Sequence, residues 1–137
     1  MRGQIDSAII IQWLGAMALV LTIGSCHRIQ PIYEVQGHPI PVASRGLTSA
    51  QIMDRIIQTT QADGWLVDRT GPSDVRATDK WKDHAAVVLI SQDGTTFSIR
   101  NEGSTHLLQA NGSIHKAYNE RVRKLEAAIE RKLSGNP

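Results

Sequence analysis

The feature that most limits what this chain can fold into is an apolar stripe near its C-terminus. Ile114, Ala117, Tyr118, Val122, Leu125, Ile129 and Leu133 recur every three or four residues. That rhythm turns one side of a helix toward a core and leaves the other in water. The polar side carries Lys116, Glu120, Arg123, Lys124, Glu126, Glu130 and Arg131, mixed in sign. Glu120 stands four residues before Lys124, as in a solvated face with local ion pairs. Asn111-Gly112-Ser113 precedes the stripe and Gly135 follows it, so a helix is predicted over 114–133. A single amphipathic helix cannot bury its own stripe, and the rest of the chain must supply a second layer.

Upstream, Thr48 followed by Gln51 resembles a capping box, and Gly64 supplies a left-handed stop. A first helix is predicted over 48–63, with Ala50, Met53, Ile56, Ile57 and Thr60 on one face and Ile52 at its edge. Between the helices the period drops to two. Trp65 and Val67 begin a short strand, Thr70-Gly71-Pro72-Ser73 is a turn, and Val75, Ala77 and Trp81 alternate on one face of the next strand. The run His84–Ile90 is apolar on both faces and reads as a central strand. Gln92-Asp93-Gly94 is a hairpin signal, and Thr96–Arg100 returns with Phe97 and Ile99 pointing inward. The sum is an α+β domain over 47–137, a two-layer sandwich of helix, three or four antiparallel strands, and helix. It is expected to fold from about Arg45 without lipid or metal.

The other strong signal is an apolar block close to the N-terminus. Residues 8–23, AIIIQWLGAMALVLTI, are sixteen residues broken only by Gln12 and Thr22. As a helix, at ~1.5 Å per residue, the run spans roughly 24 Å. A bilayer core of ~30 Å wants about 20 apolar residues, so the run is short for a span. It is closer to the ~7–15 residues of a signal h-region. A short polar stretch with Arg2 precedes it, and Gly24 and Ser25 end it directly before Cys26, the single cysteine of the chain. With one cysteine, no internal disulfide can form.

Ile23-Gly24-Ser25-Cys26 resembles the lipobox of bacterial lipoprotein signals, an aliphatic residue and two small residues before cysteine. The resemblance implies that residues 1–25 are a signal peptide cut before Cys26. It also implies that the Cys26 thiol carries a diacylglyceryl group and that the new amino group takes a further chain such as palmitate. Two or three acyl chains hold a protein on a membrane where one does so only marginally. Ile23 stands where leucine is usual, and Asp6 weakens the positive N-terminal region. The alternative is an uncleaved N-terminal membrane helix with an incidental cysteine. In Gram-negative lipoproteins an Asp after the cysteine commonly retains the protein at the inner membrane. His27 stands there instead, which favours the outer membrane, facing the periplasm, over the inner. Residues 26–46, with Pro31, Gly37, Pro39, Pro41 and Gly46, read as the lipidated cysteine and an extended tether able to reach up to ~60 Å. Within it Ile32, Tyr33, Val35 and Ile40 argue that part lies on the domain.

Gly64-Trp65, the double-faced strand with its Asp-Gly turn, and Ile114-His115-Lys116-Ala117-Tyr118-Asn119 together resemble small, largely uncharacterised Gram-negative envelope lipoproteins. The resemblance covers roughly residues 48–130 and implies a fold of the type just derived, with no known activity. Such families often have Trp where this chain has Arg121.

The candidate chemistry is sparse. His27, His38, His84, His106 and His115 include no tight pair, and there is no His-Glu-x-x-His and no second cysteine, so no metal ligand set is read. Ser104, His106 and His115 are near in sequence but lack a Gly-x-Ser-x-Gly elbow, and no phosphate loop or dinucleotide fingerprint occurs. Trp65 and Trp81 read as core or sheet-face residues. The formal net charge of +2 gives no field to hold nucleic acid. The sequence therefore reads as a non-enzymatic envelope lipoprotein, an interaction or accessory subunit. It is attached to the membrane through Cys26, has a protein partner in the envelope, and has no catalytic, cofactor-binding or metal-binding residues. The alternative reading is a small-ligand or metal-binding module facing the periplasm.

Overall fold

Thr48 closes the start of the first helix from both directions. Its Oγ1 accepts from the Gln51 N–H at 3.2 Å, and its own N–H donates to Gln51 Oε1 at 2.9 Å. Two of the amides that a helix start leaves unpaired are thus satisfied, at the position the sequence marks. At the other end Gly64, at φ +96°, turns the chain away and Trp65 N–H returns to the Thr60 carbonyl.

Residues 27–136 are described in a computed structural model. In chain order the elements are β1 (Ile29–Pro31), β2 (Val35–Pro39), a 3-10 turn (Val42–Ser44), α1 (Ser49–Ala62), β3 (Leu66–Arg69), β4 (Asp74–Trp81), β5 (His84–Gln92), β6 (Thr96–Thr105), β7 (Ser113–His115) and α2 (Lys116–Leu133). The fold is mixed α+β. A five-stranded antiparallel sheet runs in the order β2-β6-β5-β4-β3, and β1 pairs with β7 in a separate two-stranded ribbon. The buried residues of the sheet, among them Val75, Ala77, Val88, Ile90, Phe97 and Ile99, form one cluster with Ile52, Met53 and Ile56 of α1 and Tyr118, Val122, Leu125 and Ile129 of α2. Helix, strands and helix follow in the expected order, with more strands than the sequence indicates.

Three differences have physical causes. The stretch read as a tether is structured from Ile29. β2 pairs with β6, Val35 and Ile40 are buried, and Asn119 of α2 accepts from the Tyr33 amide at 2.8 Å while donating to the Pro31 carbonyl. Its prolines fit because both strands are short edge pieces, where missing amides break no central ladder, and Gly37 at φ +63° sits where the β2 register shifts.

The last helix begins at Lys116, two residues later than expected. Asn111 and Gly112, both at positive φ, turn the chain into β7, and Ile114 is buried as a strand residue in continuation of the helical stripe. His115 is the N-cap, its Nδ1 accepting from the Ala117 amide at 3.1 Å.

β5 is central but not double-faced. Ala86, Val88, Ile90 and Gln92 are buried, whereas Ala85, Val87, Leu89 and Ser91 are half-buried on the other side. Apolar identity on both faces marks centrality in the sheet, and here alternate residues are only partly covered.

Candidate functional site

Cys26, read from the sequence as the lipid-attachment residue, lies outside the described residues, and so does the apolar block before it. Residues 28–32 are tied to the start of α2 and to β7. The Lys116 amide donates to the Arg28 carbonyl at 2.7 Å, Ile29 pairs with His115, and the Ile32 amide donates to the Gly112 carbonyl at 2.9 Å. β7 is held on its other side by the His115 amide, which donates to the Leu107 carbonyl at 2.8 Å. Three backbone segments, 28–31, 113–115 and the loop at 107, therefore lie side by side.

Most of the histidines gather at this same end. His84 Nδ1 donates to the His106 carbonyl at 2.9 Å, and His106 Nδ1 donates to the Asp83 carbonyl at 2.9 Å. Carbonyl oxygens only accept, so both rings carry their proton on Nδ1 in these contacts. The Asp83 carboxylate stands 3.5 Å from each ring. This reciprocal pair ties the β4–β5 turn to the beginning of the 106–112 loop. It also commits one nitrogen of each ring to the backbone, as capping α2 does for His115. Among the described residues no group of three or more His, Cys, Asp or Glu is placed to hold a metal ion. Ser104 Oγ donates to Gln109 Oε1 at 2.7 Å, so the three residues weighed as a hydrolase constellation each have a different local partner.

The loop after β6 is held in unusual backbone geometry. His106, Leu108 and Asn111 all have φ between +51° and +55°. Outside glycine such angles cost of order 1 kcal/mol each and persist where the surroundings enforce them. Leu107 is buried at 2 % exposure while Leu108 stands 68 % exposed, so the loop presents a leucine to solvent. Ile29, one strand beyond β7, is 39 % exposed. Arg28 and His27 just before Ile29, and Lys82 in the β4–β5 turn, are exposed, and Lys116 is half-buried.

Two further clusters escaped the sequence reading. Glu126, expected on the solvated face of α2, accepts from the Tyr33 hydroxyl at 2.5 Å and from His38 Nδ1 at 2.8 Å, while His38 stacks on Phe97 with centroids 4.7 Å apart. The hydrogen bond to Glu126 raises the proton affinity of Tyr33, with burial acting in the same direction. Arg123 lies over the Tyr33 ring at 4.1 Å. The cluster fastens the N-terminal segment to α2. The second is Arg121, which bridges the buried carboxylate of Asp79 and stacks 3.6 Å over Trp81, with Lys124 paired to Asp63 rather than to Glu120. Trp65 is core, its Nε1 donating to Asp63 at 3.1 Å.

No protein-family model matches the chain, and no curated protein or solved structure matches it either. Among the described residues no helix is long and apolar enough to cross a membrane. Concavities among the described residues include two along α1 and α2, one of about 480 Å³ lined by Arg55, Gln58 and Lys132 and one of about 420 Å³ lined by Gln58, Ala62, Ala128, Arg131 and Lys132, and a cleft of about 300 Å³ beside Trp81 and Arg121.

Proposed function

We propose that the protein is a lipid-anchored envelope lipoprotein, attached through acyl chains on Cys26 and acting as a non-enzymatic interaction or accessory subunit. In this reading residues 1–25 are the cleaved signal and both helices cover one face of the sheet as a two-layer sandwich. The outer membrane, facing the periplasm, is favoured over the inner by His27. The observation that carries the reading is the run of sixteen residues over 8–23, followed directly by Gly24-Ser25-Cys26. A thiol is the one side chain able to form the thioether to a diacylglyceryl group, and small residues before it let the backbone enter a peptidase cleft. The open sheet face, where Leu66 is 62 % exposed and Val87, across Thr78 from it, is half-buried, supports a role in contact with another protein.

Growth on labelled palmitate tests the anchor. The wild-type protein should take up label and fractionate with membranes, and Cys26→Ser should lose both label and processing. Unchanged processing and mass in Cys26→Ser would refute the lipoprotein reading in favour of an uncleaved helix.

A small-ligand reading rests on the two adjoining concavities along the helices, where Arg55, Arg131 and Lys132 are among the lining residues. Calorimetric titration with inorganic phosphate should show no saturable heat if contact with a partner is the role. Millimolar or tighter binding that is lost in Arg131→Gln would favour the ligand reading.

A further inference from the structure

We propose that the end of the fold where the chain emerges from Cys26 is a membrane-docking face. It would seat Leu108 and Ile29 among the lipids of an anionic bilayer and use Arg28, Lys82 and Lys116 to hold the headgroups. The inference deepens the anchored reading and rests on it. Its first support is length. Arg28 is already hydrogen-bonded to α2 and lies two residues after Cys26, and two residues span at most about 7 Å. Acyl chains on Cys26 therefore leave the domain no free tether. The β1–β7 ribbon must sit at the headgroups, and so must the adjoining loop at 107.

The second support is what that end presents. Leu108 is 68 % exposed on a loop held at positive φ, with Ile29 close by in register across β7. Arg28 adjoins Ile29, Lys116 follows the His115 that pairs with Ile29, and Lys82 lies in the turn tied to His106; exposed His27 and His106 join these cations, against the carboxylates of Asp83 and Glu120. Apolar side chains ringed by basic ones are the composition that binds an anionic interface. The register also supplies an internal control. β6 runs from Thr96, paired with Pro39, to Thr105, so exposed Val42, three residues after Pro39, lies at the opposite end of the sheet from Leu108.

The test uses full-length, membrane-extracted protein carrying one environment-sensitive fluorophore, at Leu108→Cys or at Val42→Cys. The protein is reconstituted in vesicles of phosphatidylethanolamine and phosphatidylglycerol, with or without brominated acyl chains. Fatty-acid content is measured in the same samples. Quenching at position 108 should exceed that at position 42 at least threefold, and the difference should shrink in phosphatidylcholine vesicles. Equal quenching at the two positions in acylated, vesicle-bound protein would overturn the docking face while leaving the anchor standing. Protein without fatty acid that stays off the vesicles would overturn both.

Discussion

The Lys116 amide donates to the Arg28 carbonyl at 2.7 Å, so the first turn of the last helix is joined to a residue two positions from Cys26. This contact, with the buried side chains of Val35 and Ile40, makes residues 28–44 part of the fold. A protein beginning at Arg45 should therefore melt with lower cooperativity than one beginning at Arg28. Burying Val35 and Ile40 alone is worth about 1.5–3 kcal/mol each. Identical thermal transitions for the two would show that the segment adds nothing to stability.

The two ion pairs Arg121–Asp79 and Arg69–Asp54 should differ in worth. Asp79 is 7 % exposed, and losing Arg121 leaves its carboxylate buried beside Trp81 without a cation. Arg121→Ala should cost about 2–3 kcal/mol, a discounted value because the arginine is itself a third exposed. Arg69→Ala breaks a pair whose members are 46 % and 61 % exposed and should cost under about 1 kcal/mol. Urea unfolding of both variants checks the order, and equal costs would contradict it.

The helices were legible because their signals are local. The Thr48–Gln51 box and the Gly64 stop are read from a few neighbouring residues, as is the stripe through Leu125, and tertiary packing reinforces them. The placement of residues 29–44 was not legible, because edge strands of three and five residues with prolines carry almost no periodicity. Ile114 misled for a related reason, since a buried strand residue just before a helix extends the helical stripe. The Tyr33–Glu126–His38 cluster joins residues 88 and 93 positions apart, and nothing in either local sequence distinguishes Glu126 from its solvated neighbours. The signal available was Ile32, Tyr33, Val35 and Ile40 standing as apolar residues in a stretch otherwise read as a tether.

Asp93 should give the hairpin an acid-sensitive component. Amide and hydroxyl donors from Thr95 and Thr96 meet its carboxylate and hold its pKa down at about 2. Because the folded value lies below the unfolded one, the stabilisation is complete above about pH 4 and is lost as pH falls through about 2. Asp93→Asn should therefore lower the melting temperature at pH 6 and lose less stability than wild type between pH 4 and pH 2. Parallel pH profiles for the two proteins would contradict the assignment.

Tyr118 should tolerate loss of its hydroxyl. The ring is fully buried, and neither its oxygen nor the Asn101 Nδ2 has a hydrogen-bond partner. Burial pushes its pKa up to about 12, and the Asn101 side chain, close to the hydroxyl but outside hydrogen-bond geometry, acts in the opposite direction. Removing an unsatisfied polar atom relieves a desolvation cost, so Tyr118→Phe should be neutral or stabilising by up to about 1 kcal/mol. A loss above about 2 kcal/mol in chemical denaturation would mean that the hydroxyl is satisfied in solution.

The anchor itself is tested most directly by the mass of the N-terminal tryptic peptide of the protein extracted from membranes. Cleavage after Arg28 should release Cys26-His27-Arg28 bearing a diacylglyceryl thioether and an N-acyl chain, with no peptide crossing from Ser25 into Cys26. Recovery of an unmodified peptide spanning Gly3 to Arg28 would contradict the lipid-anchored account.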